Sequence, residues 1–344
     1  MRIAVDGMGG DHSPHEIVKG CIDALTDLSE HIFLILIGDK ARIQQELEKY
    51  AYDHSKISVV HTTDIITNDD QPVKAVRTKK DSSLVVGMNM LKNKEIDVFI
   101  SAGNTGALMT GALLILGRIP GIERPALTAV YPNPAINKAC LLLDVGANAE
   151  CKETHLLQFG IMGSIYCEKV LYIGKPRVGL VNIGTEAGKG TPVIKKAYQN
   201  FEKANLNFIG NVEARELQNG VADVIVCDGF VGNVILKLSE GVALAFVHLI
   251  KNKLKESLIA KIGALILYGK LKDLKKELDY SEYGGAPILG VKGAVVKIHG
   301  SSEANAVKNA ILKAIPYVEN NVVEIIHDEI VSFQSDNSEE VNDE

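Results

Sequence analysis

Several things are scarce in this chain, and each scarcity removes a class of protein. Its five cysteines (Cys21, Cys140, Cys151, Cys167 and Cys227) are scattered over 344 residues, odd in number and never spaced Cys-x-x-Cys. Neither a disulfide framework nor a zinc cluster is indicated, and a reducing cytoplasm is the expected compartment. Positive charge is short as well: 37 Lys and Arg stand against 43 Asp and Glu, a net charge of −6. A general nucleic-acid binder would need the opposite balance, so no nucleic acid is expected as a partner. No uninterrupted apolar run approaches the roughly 20 residues that cross a bilayer. The opening residues, Met1 to Asp6, read as a strand rather than a signal peptide.

The common catalytic signatures are missing too. Gly7-x-Gly9-Gly10 lacks the third glycine of a dinucleotide fingerprint, and Asp39 comes too late to be its acid. There is no G-x-x-x-x-G-K-[ST] phosphate loop, no G-x-S-x-G elbow and no H-E-x-x-H helix. A covalent serine hydrolase and a zinc hydrolase are therefore poorly supported, and neither metal nor cofactor is expected.

What is present is ordinary globular material, 46% hydrophobic and 23% charged, long enough for two domains or one large α/β unit. Short apolar strands alternate with helical patterns. Strands are expected at 3–6, 33–37, 57–60, 97–100, 126–131, 139–143, 178–183, 207–209 and 224–227. The pair 126–131 and 139–143, joined by Pro132-Asn133-Pro134, is a candidate antiparallel hairpin. Ser13 is a fair N-cap for a helix from Pro14, Asp81 for one over 82–91, and a long helix starts near Val231. Continuous apolar strands separated by helices predict an open, mostly parallel sheet covered on both faces. Residues 1–334 read as a single α/β unit, with a helical protrusion at about 240–280. Residues 335–344, with five acids, read as a disordered tail.

At least five expected strands run into a Gly-rich loop: 6–12, 101–106, 144–148, 182–190 and 228–233. In an open parallel sheet such loops share the carboxyl edge, where ligand crevices form, and helix N-termini there favour anions. Candidate anion-binding positions are Gly9, Gly10, His12, Ser101, Gly103, Thr105, Asn148, Asp228, Asn233 and Ser301. Each has a plain alternative. His12 is equally a turn residue or a proton shuttle. Ser301 and Ser302 cap a helix or bind phosphate. Lys189, between two glycines, is either a cation reaching an anion or a solvated loop lysine. Arg118, Arg124 and Arg215 are anion contacts or surface cations.

The segments Val5-Asp6-Gly7-Met8-Gly9-Gly10-Asp11, Ser101-Ala102-Gly103-Asn104-Thr105-Gly106-Ala107, Leu143-Asp144-Val145-Gly146-Ala147-Asn148, Val181-Asn182-Ile183-Gly184 with 186–190, Asn211-Val212-Glu213-Ala214-Arg215, Asp228-Gly229-Phe230-Val231-Gly232-Asn233 and Gly285-Ala286-Pro287-Ile288-Leu289-Gly290 together resemble the phosphate acyltransferases of bacterial phospholipid synthesis. The likeness runs from Met1 to about Ala314, with Gly7 where alanine is more usual. It implies acyl transfer from acyl carrier protein to inorganic phosphate, giving acyl phosphate for glycerol 3-phosphate acylation. It further implies a homodimer and a fold like isocitrate and isopropylmalate dehydrogenases and phosphotransacetylase. It brings no settled catalytic set. The chemistry needs fixed donors at the phosphate and at the developing oxyanion, and Asn104 and Lys189 are the candidate catalytic groups. The rivals are an isopropylmalate-type NAD dehydrogenase, a short-chain phosphotransacetylase and a non-catalytic adaptor.

One stretch is charged out of keeping with the whole. Between Lys251 and Lys276 eight lysines face two acids, Glu256 and Asp273. Leu258, Ile262, Leu265 and Ile266 recur there at helical spacing. A helix of this kind can lie in a bilayer interface, receive an acidic carrier protein or pack a dimer. The expected reading is peripheral contact with anionic membrane, beside a membrane acyltransferase that consumes the product.

Overall fold

The computed structural model describes residues 1–133, 138–270 and 284–340. In chain order the elements are β1 (Arg2–Asp6), α1 (His15–Leu25), β2 (Phe33–Gly38), α2 (Lys40–Leu47), β3 (Ile57–His61), α3 (Pro72–Thr78), α4 (Ser83–Lys92), β4 (Val98–Ser101) and α5 (Thr105–Gly111), which runs on as a π-turn to Leu116. There follow β5 (Ala126–Asn133), β6 (Lys138–Leu143), α6 (Glu153–Lys169), β7 (Val178–Asn182), α7 (Pro192–Lys203), β8 (Phe208–Glu213) and β9 (Val224–Val226). The chain ends with α8 (Gly229–Lys255), α9 (Leu258–Ile266), β10 (Ala286–Leu289), β11 (Ala294–Lys297), α10 (Ala304–Glu319) and α11 (Val322–Glu340).

Among the described residues eleven strands join one sheet in the order β3-β2-β1-β4-β11-β10-β5-β6-β9-β7-β8. Period-two alternation divides its side chains between two cores. Ile3, Val5, Leu34 and Leu36 belong to the core that α1, α6 and α10 cover on one face. Ala4, Ile35, Ile37 and Phe99 meet α3, α4 and α5 on the other. The sheet is thus mostly parallel and covered on both faces, as expected. The expected hairpin is also found: β5 and β6 pair antiparallel from Thr128↔Leu143 to Asn133↔Lys138.

The shared carboxyl edge needs correction. Three successive antiparallel pairings, β11–β10, β10–β5 and β5–β6, reverse the strand direction an odd number of times across the middle of the sheet. The strands β6, β9, β7 and β8 therefore run opposite to β1–β4, and the loops after β6, β7 and β9 leave the edge opposite to those after β1 and β4.

Local details differ as well. Ser82, not Asp81, caps α4 through Val85 N–H. Asp81 instead accepts from Thr63 N–H and Oγ1–H, tying the β3 exit to α4. Ser13 does not cap α1 but donates to the Met8 and Gly10 carbonyls, closing the first loop. α11 continues to Glu340, six residues into the segment expected to be a disordered tail, because extending a packed helix costs far less than nucleating one. Residues 341–344 lie outside the described residues.

α8 is long and apolar enough to cross a membrane by length and composition, and little of it is buried. A search for uninterrupted apolar runs overlooks it because Lys237 and Glu240 break the run. These two pair with each other at 2.8 Å and face a cavity of the globular body, which holds the helix's first turns to the sheet.

Candidate active site

A cavity of about 350 Å³ lies over the middle of the sheet, where β5 and β10 cross between the two oppositely directed halves. Its polar end is formed by Asp11, Gly103, Thr105, Lys297, His299 and Ser302. Its apolar side is formed by Leu127, Ala129, Val130, Val145, Leu236 and Ile298. α8 starts beside the β6 loop, where Asn148 O accepts the Gly229 N–H, and crosses the cavity so that Asn233, Leu236, Lys237 and Glu240 line it. This crossing brings loops from both sheet edges to one place. Loops after β1, β4 and β6 and the start of α8 contribute; the loop after β7 contributes no lining residue.

A buried network holds the polar end rigid. Asp6, 2% exposed, accepts from Ser101 Oγ–H at 2.7 Å and from Met8 N–H at 3.1 Å. Ser101 Oγ in turn accepts from Gly103 N–H at 3.0 Å. The glycines here permit backbone contact. A Cβ on Gly9 would stand 2.7 Å from Gly103 N and 2.6 Å from the Asp6 carboxylate. Gly10 has φ +94°, and its Cβ would meet Gly300 O. Asp11 N–H donates to that same carbonyl at 2.8 Å, so the first loop is locked to the loop after β11.

Of the expected site residues, Gly103, Thr105 and Asn233 line the cavity. Gly9, Gly10 and Ser101 stand immediately behind its wall. Asn148 is committed elsewhere, donating from Nδ2 to Pro125 O and to Asp144. Asp228 caps α8 through Val231 N–H at 2.8 Å. Asn104 caps α5 through Ala107 N–H and donates to the carbonyls of Thr67 and Asn68. His12 is exposed and off the cavity wall. Ser301 is exposed, its hydroxyl 2.8 Å from His299 Nδ1, while its neighbour Ser302 faces the cavity. Lys189 is also exposed, its Nζ 3.9 Å from Glu186 and its carbonyl held by Asn182 Nδ2. Arg118 and Arg124 meet Lys152 and His155 at a separate surface concavity. Arg215 pairs with Glu213.

Lys297 was not singled out by sequence. It is 8% exposed, at the end of β11, and its ammonium donates to the carbonyls of Ala102 and Ile298. Burial lowers its pKa to about 8, against the opposing pull of Asp6 and Asp11. A lysine closing the apolar run Ala294-Val295-Val296 ahead of Ile298 is the signal that was there to read. His299 beside it is held below the usual histidine range, first by burial and then by Lys237.

This arrangement can hold a small anion against a buried cation and close-packed glycine loops, next to an apolar wall. A family model described as fatty acid synthesis protein matches residues 1–325. The chain belongs to this family. A phosphate acyltransferase of Alkaliphilus oremlandii is 53% identical over 339 residues, covering 98% of this chain and all of the relative. One of Clostridioides difficile is 48% identical over 337 residues, with 98% of each chain covered. Among solved structures, a phosphotransacetylase from Streptococcus pyogenes superposes with a TM-score of 0.64 at 14% identity, covering 93% of this chain and 94% of its own. A branched-chain phosphotransacylase from Enterococcus faecalis gives 0.58 at 15%, covering 92% and 99%. These structural likenesses establish the fold.

Proposed function

We propose that the protein transfers a fatty acyl group from acyl carrier protein to inorganic phosphate. The observation that carries this reading is near-complete coverage, at about half identity, of relatives named phosphate acyltransferase. The cavity supports it, with a polar end suited to phosphate and an apolar side suited to an acyl chain. A phosphate oxygen attacks the thioester carbonyl carbon, the C–O bond forms and the C–S bond breaks. Hydrogen phosphate dianion and acyl thioester thus give acyl phosphate dianion and free thiol, the phosphate proton going to the departing sulfur. Phosphate is already nucleophilic and a thiolate leaves readily, so positioning and electrostatic stabilisation carry the catalysis.

The test is incubation with acyl-acyl carrier protein and phosphate, followed by hydroxylamine trapping of acyl phosphate and assay of free carrier protein. Omitting phosphate should stop turnover, and an unchanged rate refutes the reading. The likeness to phosphotransacetylase favours one second reading, acyl-coenzyme A as donor, and comparing the two donors decides between them. The fold is read as one of the isocitrate and isopropylmalate dehydrogenase kind, a reading that the two oppositely directed parallel halves of one sheet support.

Lys189, the catalytic cation expected from sequence, stands exposed beside Glu186 on the loop after β7, which lines none of the cavity. A solvated loop lysine predicts near-normal kcat/KM in Lys189→Ala, and a loss of about 10²–10³ in a folded variant would make it a catalytic contact.

The protein is further proposed to be a cytoplasmic homodimer resting on the membrane, near the membrane acyltransferase that takes its product. Val234, Leu238, Val242 and Leu249 recur along one exposed side of α8, a stripe a second copy would cover. On α9, Ile262 is 61% exposed and Leu265 and Ile266 are each 78% exposed, next to the lysine-rich stretch. The side chain of Leu258 lies outside the described residues. Vesicles containing anionic lipid should co-sediment the protein, and an Ile262→Glu, Leu265→Glu variant that still dimerises should stay in solution. Undiminished sedimentation of that variant excludes α9 as the contact.

A further inference from the structure

We propose that Lys297 is the phosphate-binding cation of the cavity, contacting the acceptor anion directly and holding it against the Gly103 and Gly300 loops. The proposal rests on the acyl-transfer reading for the identity of the anion but not for the existence of the site. Three observations carry it. Lys297 ends a central strand, so its backbone is fixed by β4, with Lys297 paired to Ser101 and Ile298 N–H bonded to the Ser101 carbonyl. Its side chain is buried yet reaches a cavity wall. Its two acceptors among the described residues are main-chain carbonyls, Ala102 O at 3.2 Å and Ile298 O. An ammonium has three N–H donors. Two are thus taken by neutral carbonyls, and the third is available to an acceptor in the cavity.

The purely structural alternative is that Lys297 exists to neutralise Asp6. The hydrogen bonds argue otherwise: Asp6 is satisfied by Ser101 Oγ–H and Met8 N–H, and no ion pair joins it to Lys297 among the described residues. Burying an ammonium without an ionic partner is costly, and that cost depresses its pKa. A bound dianion supplies the missing counter-charge. The charged and titratable groups around it are Asp6 on β1, Asp11 in the loop after β1, Lys237 and Glu240 on α8, and His299 in its own loop. Lys237 and Glu240 offset each other. Because burial favours the neutral amine, the free protein loses this cation as pH rises through about 8, and phosphate affinity falls with it.

The experiment measures inorganic phosphate binding to the full-length protein by calorimetry, alongside steady-state turnover. Lys297→Met keeps the length and apolar stem while removing the charge. It should weaken phosphate binding and raise the phosphate KM by about 10–100-fold, the range for losing one charge-assisted contact, with the KM for the acyl donor unchanged. Lys297→Arg should recover much of that loss. Wild-type phosphate affinity should decline above pH 8, where phosphate itself remains a dianion. Unchanged affinity in Lys297→Met, or a flat wild-type profile from pH 7.5 to 10, overturns the proposal. The pH profile needs no variant and decides the matter even where Lys297→Met does not fold. Phosphate binding that requires Lys297 in a protein without acyl-transfer activity would sink the functional reading and leave this site standing.

Discussion

Gly232 gives the sharpest stability test, because its neighbour is backbone. A Cβ built there stands 1.9 Å from Asp144 O and 2.9 Å from Cys227 Sγ. The carbonyl cannot rotate aside: Asp144 is buried, and its carboxylate accepts the N–H groups of Leu127, Ala147 and Asn148. In Gly232→Ala the first turns of α8 must therefore retreat by about 1.5 Å to reach ordinary contact, a forced overpacking that costs about 1–3 kcal/mol or somewhat more. The helix propensity gained over glycine returns up to about 1 kcal/mol, leaving a net loss of about 1–2 kcal/mol. Gly241, two and a half turns on, meets nothing within 4 Å. Gly241→Ala should therefore gain about 0.8–1 kcal/mol. Urea unfolding of the two variants should move the midpoints in opposite directions, by several tenths of a molar unit. Retreat of α8 also displaces Asn233 and Leu236 from the cavity wall, so Gly232→Ala should lose activity while still folded. A Gly232→Ala protein with the wild-type midpoint would refute the packing argument.

Three further outcomes are expected. Asp39 accepts from Ala41 and Arg42 N–H at the start of α2, so Asp39→Ala should cost about 1 kcal/mol of unfolding free energy; no change in urea midpoint contradicts the cap. Asn104→Ala removes the α5 cap and the tie to Thr67 and Asn68, and should lower stability by about 1–2 kcal/mol. A loss of kcat with unaltered stability would instead make Asn104 a catalytic group. Cys21, Cys140, Cys167 and Cys227 are buried, and burial with the nearby Asp144 and Asp228 charges pushes the Cys151 thiol up to about 12. Thiol reagent at pH 8 should leave the native protein almost unlabelled and titrate five thiols in denaturant; rapid stoichiometric labelling of native protein contradicts this.

The elements and the cavity differ in how far the sequence betrays them. Ile3 to Val5 and Leu34 to Ile37 are unbroken apolar runs that lead into turns containing Gly7 and Gly38, and the chain uses each as a strand buried on both sides. That much follows from side-chain chemistry and period, as does the covering of both faces by helices. The resemblance carried by the Gly-rich segments was legible for a related reason: close backbone approaches, such as Gly9 against Gly103, admit no side chain and so leave glycine at set positions.

Which loops meet was decided by tertiary structure. Strand direction depends on pairing partners far apart in sequence, and β10 and β11 enter the middle of a sheet begun almost 300 residues earlier. The two antiparallel pairings they bring, β11–β10 and β10–β5, cancel and leave β5 parallel to β4; the β5–β6 hairpin then reverses one half of the sheet, so loops expected along one edge leave from two, and the crossing of α8 reunites some of them over β5. Lys297 became visible in the same way. In sequence it is one lysine among many, and in the fold it is a buried cation because β11 pairs with β4 and sets its side chain beneath the Gly103 loop. The sequence by itself determined what each segment prefers, since those preferences are local. The tertiary structure alone decided which charges share a low-dielectric space, since burial is a property of the assembled sheet and its helices.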